Sequence, residues 1–157
     1  MAQYIVTGGL GSGKTLVSVS KIQEYLLRKR RVAANIDLNI PQLVGWKKKD
    51  VEAFRLPDEP TKADLMALGY GSDKRGEEHH GLLVLDEAAL FLNTQDFRSQ
   101  TIKDIRELIV HIRKRRWDII VIVQHYEILD KQIRNILGEH VVRAKRLDRI
   151  RIPFITG

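Results

Sequence analysis

Eight consecutive residues, Gly8-Gly9-Leu10-Gly11-Ser12-Gly13-Lys14-Thr15, carry glycines, one ammonium and one hydroxyl at the spacing G-x-x-x-x-G-K-[ST]. Glycines at these positions let a backbone curl round an anion and aim its N–H groups inward, where a Cβ would intrude. A helix starting near Gly13 adds its partial positive end. Lys14 then supplies a point charge for β- and γ-phosphates, and Thr15 a hydroxyl for Mg²⁺. Gly8, Gly9, Leu10, Gly11, Ser12, Gly13, Lys14, Thr15 and Leu16 together read as the cradle of a nucleotide, with ATP and Mg²⁺ as the expected ligands. The alternative is a glycine-rich turn that fits by accident. Tyr4-Ile5-Val6 reads as a strand before it and the residues from Leu16 onward as a helix after it, which is the context the motif needs.

A second reactive set follows about seventy residues later in Gly81-Leu82-Leu83-Val84-Leu85-Asp86-Glu87. Four apolar residues bounded by Gly81 and Asp86 predict a strand buried on both faces of a parallel sheet. Two carboxylates at its C-terminal end stand where open α/β sheets bind ligands. In a Walker B reading, Asp86 holds Mg²⁺ through water, and Glu87 orients and deprotonates the attacking water. The competing reading is a strand-to-helix junction capped by Asp86. Gln124, after the apolar run 119–123, can reach a γ-phosphate or its water, or else cap the next turn. His125 beside it reads equally well as a surface residue.

The elements that must position these groups follow from periodicity. Val19, Ile22 and Leu26 predict one helix, and Val32-Ala33-Ala34-Asn35-Ile36 a second strand. Pro41 predicts a loop, Phe54 and Leu56 a short edge strand, and Thr61 the N-cap of a short helix through Leu68. Residues 69–80, rich in glycine and charge, read as a flexible loop with His79 and His80 in solvent. Ile102, Ile105, Leu108, Ile109 and Ile112 predict another helix, and Ile128, Leu129, Ile133, Ile136 and Leu137 a further one closed by Gly138. Two β-rich stretches, 140–144 and 149–155, are expected to pair across 145–148.

The chain has 157 residues with 27 Lys and Arg against 20 Asp and Glu, a formal charge of +7, and no cysteine. It is long enough for one domain with a real core, expected over residues 1–157. The absence of cysteine excludes disulfides and thiolate metal sites. No apolar run nears the ~20 residues of a membrane helix, and no signal peptide precedes the first strand. Basic clusters at 28–31, 47–49, 113–116 and 143–151 are each a solvated face or helix end in the plainer reading. Together they make a polyanion partner, DNA or an acidic membrane surface, plausible.

The early phosphate loop, Asn35-Ile36-Asp37, Leu83-Val84-Leu85-Asp86-Glu87-Ala88, the helix carrying His111 and Arg113, the strand 118–124 and Leu129-Asp130-Lys131-Gln132-Ile133-Arg134 together resemble the N-terminal ATPase domain of the Zot family. These are the zonula-occludens-toxin-like, gene I-type assembly proteins of filamentous phages. The resemblance implies a three-layer α/β/α P-loop ATPase with a mainly parallel sheet, of the additional-strand type related to the FtsK and HerA pumps. It implies a homo-oligomeric ring at the cytoplasmic face of the host bacterial inner membrane, acting on phage DNA and phage coat or assembly proteins. It makes Gln124 a polar sensor and Arg134 an arginine that reaches a neighbouring subunit's nucleotide. Arg113 and Arg116 are further candidates for that arginine, and each reads at least as well as a solvated helix charge. Relatives usually carry a transmembrane helix and a further domain, which this sequence does not show. Leu90-Phe91-Leu92-Asn93 replaces an aromatic-proline pair, and Ile112 stands where a second histidine is usual.

The expected chemistry is hydrolysis of the ATP γ-phosphate, with Lys14, Glu87, Gln124 and Arg134 catalytic and Thr15 and Asp86 on the metal. Two rivals stand beside it. One is a small nucleotide kinase, against which the Asp86-Glu87 pair favours water as acceptor. The other is a basic DNA- or membrane-binding module switched by nucleotide without turnover.

Overall fold

The computed structural model describes residues 2–45, 50–89, 102–129 and 131–145. Its centre is made of the two most apolar segments, β4 (Gly81–Leu85) and β5 (Trp117–Val123), every residue of which is buried. Strands covered on both faces have no polar side to show, so they read as continuous apolar runs rather than as alternation. Around them lie β1 (Gln3–Thr7), β2 (Val32–Ala34), β3 (Ala53–Arg55) and β6 (His140–Arg143). The six strands run in the order β3-β2-β4-β5-β1-β6, and every pairing is parallel. One strand, β5, stands between the strand that leads into the glycine loop and the strand that ends in Asp86-Glu87. That is the additional-strand arrangement.

Alternation along β5 divides the core in two. Ile119, Val121 and Val123 face one layer together with Leu108, Ile112, Leu129, Ile133 and Leu137. These come from α4 (Ile102–Lys114), α5 (Lys131–Leu137) and the turn before α5; α3 (Lys62–Ala67) adds Leu65. Ile120 and Ile122 face the other layer with Ile22, Tyr25 and Leu26 of α1 (Lys14–Leu27) and Val44 of α2 (Ile40–Val44). The result is the expected three-layer α/β/α fold. Truncating a wholly buried residue such as Ile122 to alanine would cost about 2–5 kcal/mol. Among the described residues no helix is long and apolar enough to cross a membrane.

Register decides where the chemistry lies. Thr7 is paired with Val123, Leu85 with Val121 and Ala34 with Val84. The ends of β1, β2, β4 and β5 therefore share one rim, and the residues that follow each strand emerge side by side. The expected edge strand is β3, and the short helix at Thr61 carries a capping box with Asp64.

Several expectations fail for physical reasons. Pro41 does not force a loop; it opens α2, whose N-cap Asn39 accepts from the Gln42 N–H, because proline suits the first helical turn. The helix after β5 begins only at Lys131, with Tyr126–Ile128 forming a separate 3₁₀ turn. Residues 69–80 are pinned to the opposite rim. The Gly71 N–H donates to the Arg115 carbonyl (2.8 Å) and the Trp117 indole to the Gly69 carbonyl (2.8 Å). Arg116 reaches the carbonyls of Ser72 and Lys74. A Cβ at Gly71 would collide with the Arg116 carbonyl, so that glycine serves close approach rather than mobility. His80 is buried, not solvated, with Nδ1 3.4 Å from Asp118 Oδ1. The same carboxylate accepts from the Tyr25 hydroxyl and the Ala2 N–H, both at 2.7 Å. An acid inside an apolar strand needs such donors. The clusters at 47–49 and 146–151, Leu90-Phe91-Leu92-Asn93, Asp130 and the stretch 149–155 with its pairing lie outside the described residues.

Candidate functional site

The glycine loop runs from the end of β1 into α1. Gly13 is the N-cap of α1 in the left-handed region (φ +88°), a conformation other residues adopt only at a cost. It aims the first N–H groups of a fourteen-residue helix into the loop. Gly8 opens the curl: a Cβ there would lie 2.6 Å from the Ala144 carbonyl and 2.5 Å from Ser12 Oγ. The Gly8 N–H donates to the Gln124 carbonyl (3.3 Å) and Ala144 N–H to Thr7 (2.8 Å), which ties the loop to β5 and β6. Lys14 Nζ donates to the carbonyls of Gly8 (2.7 Å) and Gly9 (3.0 Å). The ammonium therefore lies within the curl, where a phosphate's charge would be met. Ser12 Oγ is buried in the loop with no hydrogen-bond partner among the described residues.

Asp86 and Glu87 arrive on the same rim from β4. The Thr15 hydroxyl donates to Asp86 Oδ2 at 3.1 Å, and the Glu87 N–H donates to Asp86 Oδ1 at 2.8 Å. Glu87 itself is exposed and held at φ +50°. Asn35 brackets Asp86: its Oδ1 accepts the Asp86 N–H (2.7 Å) and its Nδ2 donates to the Asp86 carbonyl (3.0 Å). A pocket of about 600 Å³ opens between these elements. It is lined by residues 10–16 of the loop, Asp86, Glu87, Ala89, Ile122, Val123, Gln124 and Ile128.

Lys14, Thr15, Asp86, Glu87 and Gln124 are thus brought together. Gly8 and Gly9 stand at the loop's entry, in contact with Lys14. Leu10 and Leu16, read as part of the cradle, are largely exposed at its mouth. Arg134 is not among the lining residues. Its guanidinium lies 5.0 Å over the Tyr126 ring, and its Nε is buried without a hydrogen-bond partner among the described residues. Arg113 and Arg116 fall at the other rim, beyond the start of β5, and Arg116 is occupied by the carbonyls of 69–80. Sequence reasoning missed Ala89 and Ile128 on the wall and the bracketing role of Asn35. The signal for Asn35 was a lone amide directly after an apolar strand.

The residues fit a phosphate-bound Mg²⁺. That ion keeps several waters and takes few protein oxygens besides those of the phosphates. Thr15 and Asp86 offer two such oxygens side by side. Among the described residues there is no cluster of three or more His, Cys, Asp or Glu that would hold an ion unaided.

Comparisons with known proteins bear on the family and on the fold. The family model described as Zonular occludens toxin (Zot) matches residues 2–156. The Gene 1 protein of Enterobacteria phage fd is 48% identical over 158 residues, covering 99% of this chain and 45% of that protein. The Gene 1 protein of Salmonella phage IKe is 43% identical, covering 100% of this chain and 44% of that protein. The chain therefore spans somewhat under half the length of these curated relatives. Among solved structures, the N-terminal domain of zonular occludens toxin from Neisseria meningitidis superposes with a TM-score of 0.55 at 22% identity, covering 87% of this chain and 74% of that one. That likeness bears on the fold, which is the one described above. With the family model matched from one end to the other and the phage sequences aligned along the whole chain, this protein belongs to the Zot family.

Proposed function

We propose that this chain is a Mg²⁺-dependent ATPase, the nucleotide-hydrolysing part of a motor that drives filamentous phage assembly and export across the host inner membrane. The observation that carries the reading is the 3.1 Å hydrogen bond from Thr15 to Asp86. It joins the end of the phosphate loop to a carboxylate from a strand seventy residues away, and the pair forms the seat a phosphate-bound cation needs. Mg²⁺ bound there would neutralise charge developing on the transferred phosphoryl group. Lys14 and the N–H groups of the loop hold the phosphates. Glu87, exposed beside Asp86, accepts the proton of the attacking water. Gln124 orients that water from the end of β5.

Catalysis of this kind is largely positioning and charge stabilisation. Arg134 lies outside its own chain's pocket, which supports a role at a neighbouring copy in a ring. On this reading an isolated monomer hydrolyses ATP slowly. Phage DNA and coat or assembly proteins are the proposed cargo of the full-length protein, at the cytoplasmic face of the membrane.

The test is a pair of substitutions. Lys14→Ala is expected to lose ATP binding. Glu87→Gln is expected to keep binding and lose phosphate release. Normal hydrolysis by Glu87→Gln would remove Glu87 as the base, and phosphate appearing on added nucleosides instead of in solution would mark a kinase.

A further inference from the structure

We propose that Asn35 is a positioning residue of the cation site: its side-chain amide takes the place of a missing strand partner and fixes the direction in which Asp86 leaves β4. The sheet explains why such a group is needed. The pairing of β2 with β4 ends at Ala34 opposite Val84, and the last link on that side is the Asn35 N–H to the Val84 carbonyl at 3.4 Å. Beyond that point no backbone from β2 meets the N–H and C=O of Asp86. An unpaired buried backbone group is costly, and a segment free to rotate there would carry the carboxylate with it.

Asn35 meets both groups. One amide has an acceptor and two donor hydrogens, and here Oδ1 takes the Asp86 N–H while Nδ2 gives to the Asp86 carbonyl. Two bonds to one residue, on either side of its Cα, restrain its φ and ψ together. The Asp86 carboxylate is then shared between the Glu87 N–H and the Thr15 hydroxyl. Nδ2 also donates to the Asp58 carbonyl at 2.8 Å, which anchors the bracket in the segment after β3. Asn35 is buried, with 7% of the residue exposed, so water does not replace the amide without rearrangement.

This rests on Asp86 being a cation ligand, as proposed above, and the experiment separates the two claims. The chain is saturated with a non-hydrolysable ATP analogue, and its affinity for Mn²⁺, a spectroscopic stand-in for Mg²⁺, is read from the spin-resonance signal of the free ion. Asn35→Ala is expected to weaken Mn²⁺ binding by about tenfold or more, the usual effect of losing a group that orients a metal ligand. Metal-free affinity for the analogue is expected to stay at the parent value. The double variant with Asp86→Ala is expected to bind Mn²⁺ no worse than Asp86→Ala alone, because Asn35 acts only through Asp86.

If Asp86→Ala leaves Mn²⁺ affinity unchanged, the cation-site reading itself fails. If Asp86→Ala weakens it and Asn35→Ala does not, the role of Asn35 alone is overturned. Equal loss of metal-free and metal-bound affinity in Asn35→Ala also overturns it, since the residue would then support the whole loop. Should Asn35→Ala not fold, Asn35→Ser, whose hydroxyl can still meet one of the two Asp86 backbone groups, is expected to give the same pattern with a smaller shift.

Discussion

Glu87 sits in a backbone conformation that its side chain does not favour. At φ +50° it is one of three non-glycine residues in the left-handed region among those described. An L-residue there costs about 1–2 kcal/mol, because Cβ crowds the following carbonyl. Glycine escapes that cost but loses about 0.5–1 kcal/mol more chain entropy on folding. The side chain is exposed, and its replacement removes no core packing. Glu87→Gly should therefore stabilise the fold by up to about 1.5 kcal/mol, a rise of up to about 6 °C in Tm for a chain of this size. Glu87→Ala keeps the left-handed strain and should melt close to the parent. The assay pairs thermal unfolding without nucleotide with phosphate release in its presence. Glu87→Gly is expected to melt highest and hydrolyse nothing, so that stability and activity move in opposite directions. A lower Tm for Glu87→Gly than for Glu87→Ala would refute the reasoning. It would mean that the residue is not held left-handed.

Two further outcomes follow from buried contacts. Burial, and then the hydrogen bond to Asp118, raise the Tyr25 phenol above its ordinary value. The folded state thus holds this proton to higher pH than the unfolded chain, which releases it near ~10. The contribution of Tyr25 is fully present below that pH and is lost as pH rises towards the folded value. Tyr25→Phe leaves a buried Asp118 oxygen without its donor and should be less stable by about 1–3 kcal/mol at neutral pH, yet fall less steeply above pH ~10; parallel curves would show that the phenol is not the titrating group. Gly8→Ala would force a methyl against the Ala144 carbonyl and the Ser12 side chain. Over-packing of this kind costs about 1–3 kcal/mol, so titration with ATP should show about a tenfold or greater loss of affinity; parent-like affinity would mean that the loop's entry is free to move.

The parts of the molecule visible from sequence are those whose cause is local. β4 and β5 show as apolar runs because both faces are covered, α4 shows as a stripe because one face is covered, and the glycine loop shows because its backbone demands residue types at fixed offsets. Asp86 and Glu87 were placeable beside the loop because a parallel sheet sends the ends of its strands to one rim. What stayed hidden depends on backbone far away in sequence. Nothing near Gly71 signals that its missing Cβ makes room for the Arg116 carbonyl. Nothing near His80 signals an acid buried in β5. Asn35 looks like a strand end until the stagger of β2 against β4 leaves Asp86 without a neighbour, and only then does an amide at that position acquire a task.

The same distinction changes the meaning of the net charge. Composition counts every arginine as available to a polyanion. In the fold, Arg31 is clasped by Glu52 and Asp73, and Arg55 by Asp37 and Asp58, so both charges are offset within the chain. Arg115 and Arg116 each give Nη1 to carbonyls within residues 68–74, and their guanidinium carbons lie 5.4 and 5.6 Å from the centre of the Tyr70 ring. A guanidinium recognises phosphate through a planar fork of donors, and in these two residues one arm of the fork is already engaged. At the rim away from the glycine loop, Arg115 and Arg116 therefore have fewer donors left for phosphate than their number suggests. The charge of Arg31 and Arg55 is offset within the chain, so the bare count of +7 overstates the cations open to a polyanion, and attraction between exposed charges is weakened by salt.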